Sequence, residues 1–174
     1  NEMKSIRKKN KSISLEDIDA ICFDFDGVLT NDKVLVDQNG IESVVCSRSD
    51  GLGFDVLKIL EKSTYIISTE LNMVVSKRAE KLGIPVLQGV QNKKDIVKKL
   101  SKEKKINFSN ILFVGNDLND YHAMKFCGYS VCPSDSHPVI KDMASYVLKT
   151  KGGDGVVREL LEEVFKLNIL KILY

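Results

Sequence analysis

Apolar and polar positions alternate along the chain with two different periods. Short apolar runs occur at residues 19–25 (DAICFDF), Thr64–Ser68, Ile111–Val114 and Tyr129–Cys132. Runs this short, set between polar or glycine-containing stretches, predict strands buried on both faces. Val86–Leu87 and Tyr146–Leu148 predict two shorter ones. Between them, helical spacing appears over about 51–62, 72–83, 92–104, 118–127 and 155–167. Strand–helix alternation of this kind predicts an α/β domain with a doubly wound, mostly parallel sheet and right-handed crossovers.

Two segments fall outside that rhythm. Residues 33–47 (KVLVDQNGIESVVCS) read as two short strands around Asn39-Gly40, a pair suited to the positive φ values of a tight turn. The expectation is a β-hairpin inserted after the first strand, whose edge pairs with another subunit, covers a site, or stands as a plain edge. The C-terminal stretch VVRELLEEVFKLNILKILY starts amphipathic and ends apolar. Its tail, Ile169, Leu170, Ile172 and Leu173, is expected to pack on its own domain or on a neighbouring chain.

The length of 174 residues suits one domain, read as a leader over 1–17 and a single domain over 18–174. No apolar run approaches the roughly 20 residues of a membrane span, and no signal-peptide core is present, so a cytoplasmic protein without a membrane partner is expected. Net charge is +2, but residues 1–11 hold five basic residues and one acid, which leaves the remainder slightly acidic. That balance argues against a nucleic-acid partner and reads the leader as a solvated linker. The non-Met start suggests a piece of something longer. Cys22, Cys46, Cys127 and Cys132 form no C-x-x-C pair and read as reduced, mostly buried thiols. With only His122 and His137, a zinc site is not indicated.

The chemistry gathers where strands end. Asp24 and Asp26 follow the first apolar run and precede Gly27. Open α/β sheets bind ligands beyond the carboxyl ends of their strands. Carboxylates at i and i+2 share a face there and repel unless a cation or proton joins them, and hard oxygen ligands suit Mg²⁺. Ser68-Thr69-Glu70 end another predicted strand, Lys93 opens a helix, and Ile111–Val114 runs into Gly115-Asn116-Asp117-Leu118-Asn119-Asp120. A carboxylate nucleophile, a cation site, a hydroxyl and an ammonium are the parts that phosphoryl transfer needs.

These residues resemble the haloacid dehalogenase superfamily of phosphatases over residues 19–165. Asp24, Asp26, Gly27 and Thr30 match its D-x-D-G-x-x-T/S motif, Ser68 its second motif, Lys93 its third, and Gly115–Asp120 its acidic fourth. The resemblance implies a Rossmann-like fold, Asp24 as nucleophile, Asp26 as general acid and base, and Ser68 and Lys93 on the phosphoryl oxygens. It also implies Mg²⁺ held by Asp24, Asp26 and Asn116, with Asp117 or Asp120 compensating where the amide of Asn116 replaces the family's usual aspartate.

The hairpin, in place of a large cap domain, resembles the capless sugar-acid phosphatases. So do Ser49–Gly53, Gln88-Gly89, Ser136-His137-Pro138 and Gly152–Glu159. Such enzymes are typically homotetramers joined by their hairpins, with a neighbour's C-terminal segment closing the site. Within that group, Thr69-Glu70 with Arg78 and Lys81 resembles the nonulosonate (sialic-acid-type) 9-phosphate phosphatases, with these four residues reading the substrate. The expected function is therefore hydrolysis of a nonulosonate 9-phosphate. The alternatives are a 3-deoxy-octulosonate 8-phosphate phosphatase, or a low-activity tetramerisation domain of an acylneuraminate cytidylyltransferase, whose fused linker the stretch Leu15–Asp19 resembles.

Overall fold

A computed structural model describes residues 10–174. Its centre is a six-stranded parallel sheet in the order β5-β4-β1-β6-β7-β8. The strands are β1 (Ala20–Phe23), β4 (Ser63–Ile67), β5 (Val86–Leu87), β6 (Ile111–Val114), β7 (Tyr129–Cys132) and β8 (Tyr146–Val147). Five lie within the runs or segments expected from sequence, and β4 is shifted one residue toward the N-terminus of its expected run, Thr64–Ser68. Successive residues of β1 serve opposite faces, as a pleated strand requires. Ile21 and Phe23 join a core with Phe54, Leu57, Ile66, Val157 and Leu161. Ala20 and Cys22 join a second core with Val97, Phe113, Met124 and Ile140. Phe23 meets Phe54 edge-on at 5.2 Å between ring centroids. Fully burying a side chain of this size contributes about 1.5–3 kcal/mol.

From β1 the chain builds outward through β4 and β5, then returns to pair β6 against the other side of β1. The strand order therefore reverses between β1 and β6, and the crevice beyond their carboxyl ends is the usual ligand position of such a sheet. The helices are α1 (Arg48–Ile59), α2 (Met73–Leu82), α3 (Lys93–Lys104), α4 (Tyr121–Phe126), α5 (Pro138–Met143), α6 (Val156–Glu159) and α7 (Ile169–Leu173). The predicted helix over 118–127 divides. Asp117 and Asp120 form a reciprocal capping box that tightens Leu118–Asp120 into a 3₁₀ turn before α4 begins. Helix α5 was not foreseen. His137 caps it with Nδ1, which accepts from the Val139 N–H, and Pro138 occupies the first turn, where its missing N–H costs nothing. The segment over 155–167 also divides, into α6 and a π turn over Leu160–Val164.

The hairpin is present as β2 (Leu35–Val36) and β3 (Glu42–Ser43), a separate antiparallel pair. Its turn differs from the expected two-residue form. Only Gly40 has positive φ, +77°. Asp37 Oδ1 accepts from the N–H groups of both Asn39 and Ile41, and the Asp37 carbonyl accepts from Gly40. That side chain stabilises a three-residue loop with a left-handed last position.

The apolar tail packs on its own domain as α7. Ile169 is buried and Ile172 and Leu173 pack against the core, while Leu170 stays exposed. Of the leader, Asn10 is tied to the body: its N–H donates to the Ser145 carbonyl and its Oδ1 accepts from Val147. Ile13 is buried, so the second half of the leader is docked rather than solvated. Lys4, Arg7, Lys8 and Lys9 lie outside the described residues. All four cysteines are free; three are buried and Cys46 is partly so. Burial pushes the Cys127 thiol up to about 12 and raises Cys22, so neither is a ready nucleophile. No helix among the described residues is long and apolar enough to cross a membrane.

Candidate active site

Asp24 is the first residue past β1, with its N–H bound to the Val114 carbonyl of β6. The residue is 5% exposed. Oδ1 accepts from its neighbour's amide, Phe25 N–H, at 2.7 Å and from Lys93 Nζ at 2.6 Å. Lys93 arrives from the first turn of α3, where Asn92 caps the helix by accepting from Asp95 N–H. Lys93 is 2% exposed, and its ammonium also donates to Asp120 Oδ1 at 2.7 Å. Asp120 is fully buried, and its Oδ2 accepts from the amides of Asn116 and Asp117 at 2.9 and 3.3 Å.

One ammonium thus serves two carboxylates. Burial, then the charge of Asp120, push Asp24 well above the usual carboxylate range, against the pull of Lys93. For Lys93, burial works downward, but Asp24 and Asp120 overrule it and its pKa ends above that of an ordinary lysine.

Both acids expected to assist a metal have other work. Asp120 gives one oxygen to Lys93 and the other to backbone amides. Asp117 is exposed and caps its own turn, Oδ1 accepting from Leu118 N–H at 2.7 Å. Asn116 is the residue of that loop that reaches Asp24. One edge of its amide lies 3.0 Å from both Asp24 Oδ2 and the Asp26 carbonyl oxygen. With the amide oxygen on that edge, three oxygens converge at 3.0 Å from the central one. Neighbouring ligands of an octahedral Mg²⁺, bound at about 2.0–2.1 Å, are about 2.9 Å apart, so these residues fit that ion. Among the described residues no group of three His, Cys, Asp or Glu side chains is gathered for a metal. The cradle is instead one carboxylate, one amide and one backbone carbonyl. Gly27, at φ +83°, supports it: a Cβ there would run into the Asn116 amide.

Asp26 is half-buried beside this cradle. Burial, then the charge of Glu70, raise its pKa, against the hydrogen bond that Thr30 Oγ1 donates to its Oδ1 at 3.4 Å. The same Thr30 hydroxyl accepts from the amides of Gly27 and Asp32, so it organises the whole turn. Ser68 follows β4, the other neighbour of β1, and is 1% exposed. Its Oγ accepts from Glu70 N–H. Thr69 is exposed. Glu70 turns one carboxylate oxygen back onto the amides of Leu71 and Asn72 at 2.8 and 2.9 Å, at the start of α2.

Arg78 and Lys81 are not part of this cluster. They line a groove of about 450 Å³ with Arg48, Leu52 and Asp55, between α1 and α2. Arg78 Nη2 donates to the Ser47 carbonyl at 3.1 Å.

A supporting residue escaped the sequence reading. Asp50, in the first turn of α1, is 2% exposed and accepts from Val157 N–H at the start of α6 at 2.9 Å, leaving Oδ2 without a partner. Burial pushes its pKa up to about 6. The loop before α6 lies against the nucleophile turn: Gly153 N–H donates to the Val28 carbonyl at 3.0 Å, and a Cβ on Gly152 would strike the Gly27 carbonyl. The sequence signals were an acid at a helix start and the glycine cluster Gly152-Gly153-Asp154-Gly155.

Comparison with known proteins gives a consistent picture. A family model described as haloacid dehalogenase-like hydrolase matches residues 58–160. The 3-deoxy-D-manno-octulosonate 8-phosphate phosphatase KdsC of Escherichia coli K12 is 33% identical over 148 residues, 84% of this chain and 79% of that protein. A protein of Streptomyces avermitilis described as a HAD family hydrolase superposes with a TM-score of 0.89 at 38% identity, over 92% of each chain. The octulosonate 8-phosphate phosphatase of Moraxella catarrhalis, solved with magnesium, phosphate and KDO, superposes with a TM-score of 0.82 at 28% identity, over 91% of this chain and 88% of that one.

Proposed function

The chain belongs to the haloacid dehalogenase-like hydrolases, and from that premise we propose that it is a Mg²⁺-dependent phosphatase acting on the terminal phosphate of an acidic 3-deoxy sugar. The observation that carries the reading is the buried Asp24–Lys93–Asp120 trio beside the oxygens of Asp24, Asp26 and Asn116.

Bound at those three oxygens, Mg²⁺ supplies positive charge that lowers the Asp24 pKa and offsets the phosphate's charge. Asp24 attacks phosphorus, forming an aspartyl-phosphate (a mixed anhydride) as the bond to the sugar oxygen breaks. Asp26, whose pKa is raised by burial and by the charge of Glu70, protonates that leaving oxygen. The same carboxylate then takes a proton from water, whose oxygen attacks phosphorus and frees Asp24. Lys93 and the Ser68 hydroxyl bind the phosphoryl oxygens through transfer. Asp120 is a positioning residue: it holds Lys93 on one side and the Asn116 backbone on the other.

The relatives favour an eight-carbon substrate, 3-deoxy-octulosonate 8-phosphate, over the nine-carbon one that the Glu70 pattern suggests. The nine-carbon reading keeps one observation: Glu70 stands close enough to Asp26 to raise its pKa, and one of its oxygens, Oε2, is not used by the α2 amides. Thr69 would contact the substrate beside it. Arg78 and Lys81 serve this reading only if the distal carboxylate reaches the α1–α2 groove.

The hairpin supports a homotetramer. Val34, Leu35, Val36, Ile41 and Val45 are all more than half exposed, an apolar strip that one protomer leaves uncovered. A cytidylyltransferase fusion would attach through the leader.

The test is phosphate release from matched eight- and nine-carbon sugar-acid phosphates, with Mg²⁺ and with EDTA, using Asp24→Asn as control. Mg²⁺-dependent release greatest with the octulosonate ester supports the reading. Preference for a nonulosonate 9-phosphate restores the second one. No release from either, with tetramers still formed, moves the chain to the assembly role.

A further inference from the structure

We infer that Asn116 is a two-position amide: its Nδ2 bridges Asp24 and Asp26 when no cation is bound, and it rotates to offer Oδ1 when Mg²⁺ enters. The inference rests on the Mg²⁺ site proposed above. Two atoms face the relevant edge of the amide, Asp24 Oδ2 and the Asp26 carbonyl oxygen, each at 3.0 Å, and both are acceptors. With Nδ2 on that edge, both acceptors receive a hydrogen bond. With Oδ1 there, three oxygens face one another, an arrangement that a cation holds together. Without a cation only the Nδ2 position is satisfied; with one, Oδ1 gains a partner on that edge while Nδ2 turns to a side that faces only donors.

The surroundings make the amide choice matter. Asn116 is 8% exposed, so water is a poor substitute partner. Asp24 and Asp120 already share the single Lys93 ammonium. A carboxylate at 116 would add a third buried negative charge with no proton to donate, and would leave Asp24 Oδ2 and the Asp26 carbonyl facing only acceptors. The amide avoids both penalties without the metal, and gives up charge attraction with it. Rotation is a half-turn about the terminal χ2 torsion, which is broad and two-fold.

The outcome is a site that holds its shape in the absence of metal and binds the ion less tightly than a carboxylate would. The side-chain NH₂ resonances of Asn116, assigned by their loss in Asn116→Asp and Asn116→Ala, report the amide in the wild-type chain. In EDTA they should be protected from solvent exchange; added Mg²⁺ should shift them and raise their exchange at least several-fold. In parallel, Asn116→Asp should melt several degrees below wild type in EDTA, gain more from Mg²⁺, and bind Mg²⁺ at least tenfold more tightly by calorimetry. Asn116→Ala should lose stability in EDTA without the added gain. An Asn116→Asp protein that folds only with Mg²⁺ supports the inference in the extreme. Unprotected Asn116 protons in EDTA, resonances unmoved by saturating Mg²⁺, or an Asn116→Asp protein equal to wild type in EDTA overturns it. None of these readouts depends on turnover, so failure of the phosphatase reading with the amide behaviour intact is a distinct result.

Discussion

The cluster at the end of β1 and the hairpin that follows it are built from one stretch of chain, yet they end in opposite conditions. Around Asp24 the carboxylate oxygens, the Lys93 ammonium and the Asn116 amide all have partners inside the protomer. On the hairpin, some ten to twenty residues later, Leu35 is 74% and Val45 69% exposed among the described residues. The difference separates two jobs. The groups of the proposed phosphoryl chemistry gather within one chain, whereas the apolar residues beside them lie exposed on it.

The comparison is tested hardest at its polar end. Asp24→Asn should reduce turnover by roughly 10⁴-fold or more while leaving circular dichroism and oligomeric state unchanged, because only the nucleophile is lost. Activity near wild type would remove Asp24 from the chemistry. Lys93→Met should cost about 3–5 kcal/mol in urea unfolding in EDTA, since it strands two buried carboxylates. A smaller loss would mean that water reaches Asp24 and Asp120.

Asp50 gives the pH arm. Its folded pKa of about 6 exceeds the 3.8 of an ordinary aspartate, so between those values the folded chain keeps a proton that the unfolded chain has released. Stability attributable to this group is therefore present at low pH and falls as pH rises through about 4 to 6, by up to about 3 kcal/mol. Asp50→Asn should flatten that part of the pH–stability curve measured by chemical denaturation; an unchanged slope would assign it elsewhere. Smallest for the protomer is the hairpin pair Leu35→Ser with Val45→Ser. Unfolding free energy should stay within about 0.5 kcal/mol, while sedimentation shows smaller assemblies. Unchanged assemblies would mean that subunits join through another surface.

Sequence legibility follows the same division. The strand ends were readable because a short apolar run closing on Asp24 and Asp26 has few structural uses. Lys93 was readable as the residue opening a helix, although not as a bridge between two acids. That Asp120 gives one oxygen to Lys93 and the other to backbone amides was not legible, because spacing does not tell which oxygen faces an amide. Helix α5 is too short for a periodic pattern, and its start lay hidden in Ser136-His137-Pro138. The nine-carbon reading drew on Thr69-Glu70 with Arg78 and Lys81; that the last two line a groove between α1 and α2 is a matter of how those helices pack, which periodicity does not encode.

The strand order has a consequence for how the protein is made. Ala20 of β1 pairs with Ser63 on one side and with Ile111 on the other. At a synthesis rate of about 5–20 residues per second, β1 leaves the ribosome roughly 5–20 seconds before its second neighbour. During that interval a strand buried along its whole length in the fold has an open edge, the state in which nascent chains pair wrongly with one another. The segment that carries the nucleophile is thus also where crowding on a polysome, or a chaperone that shields it, has the most influence on yield.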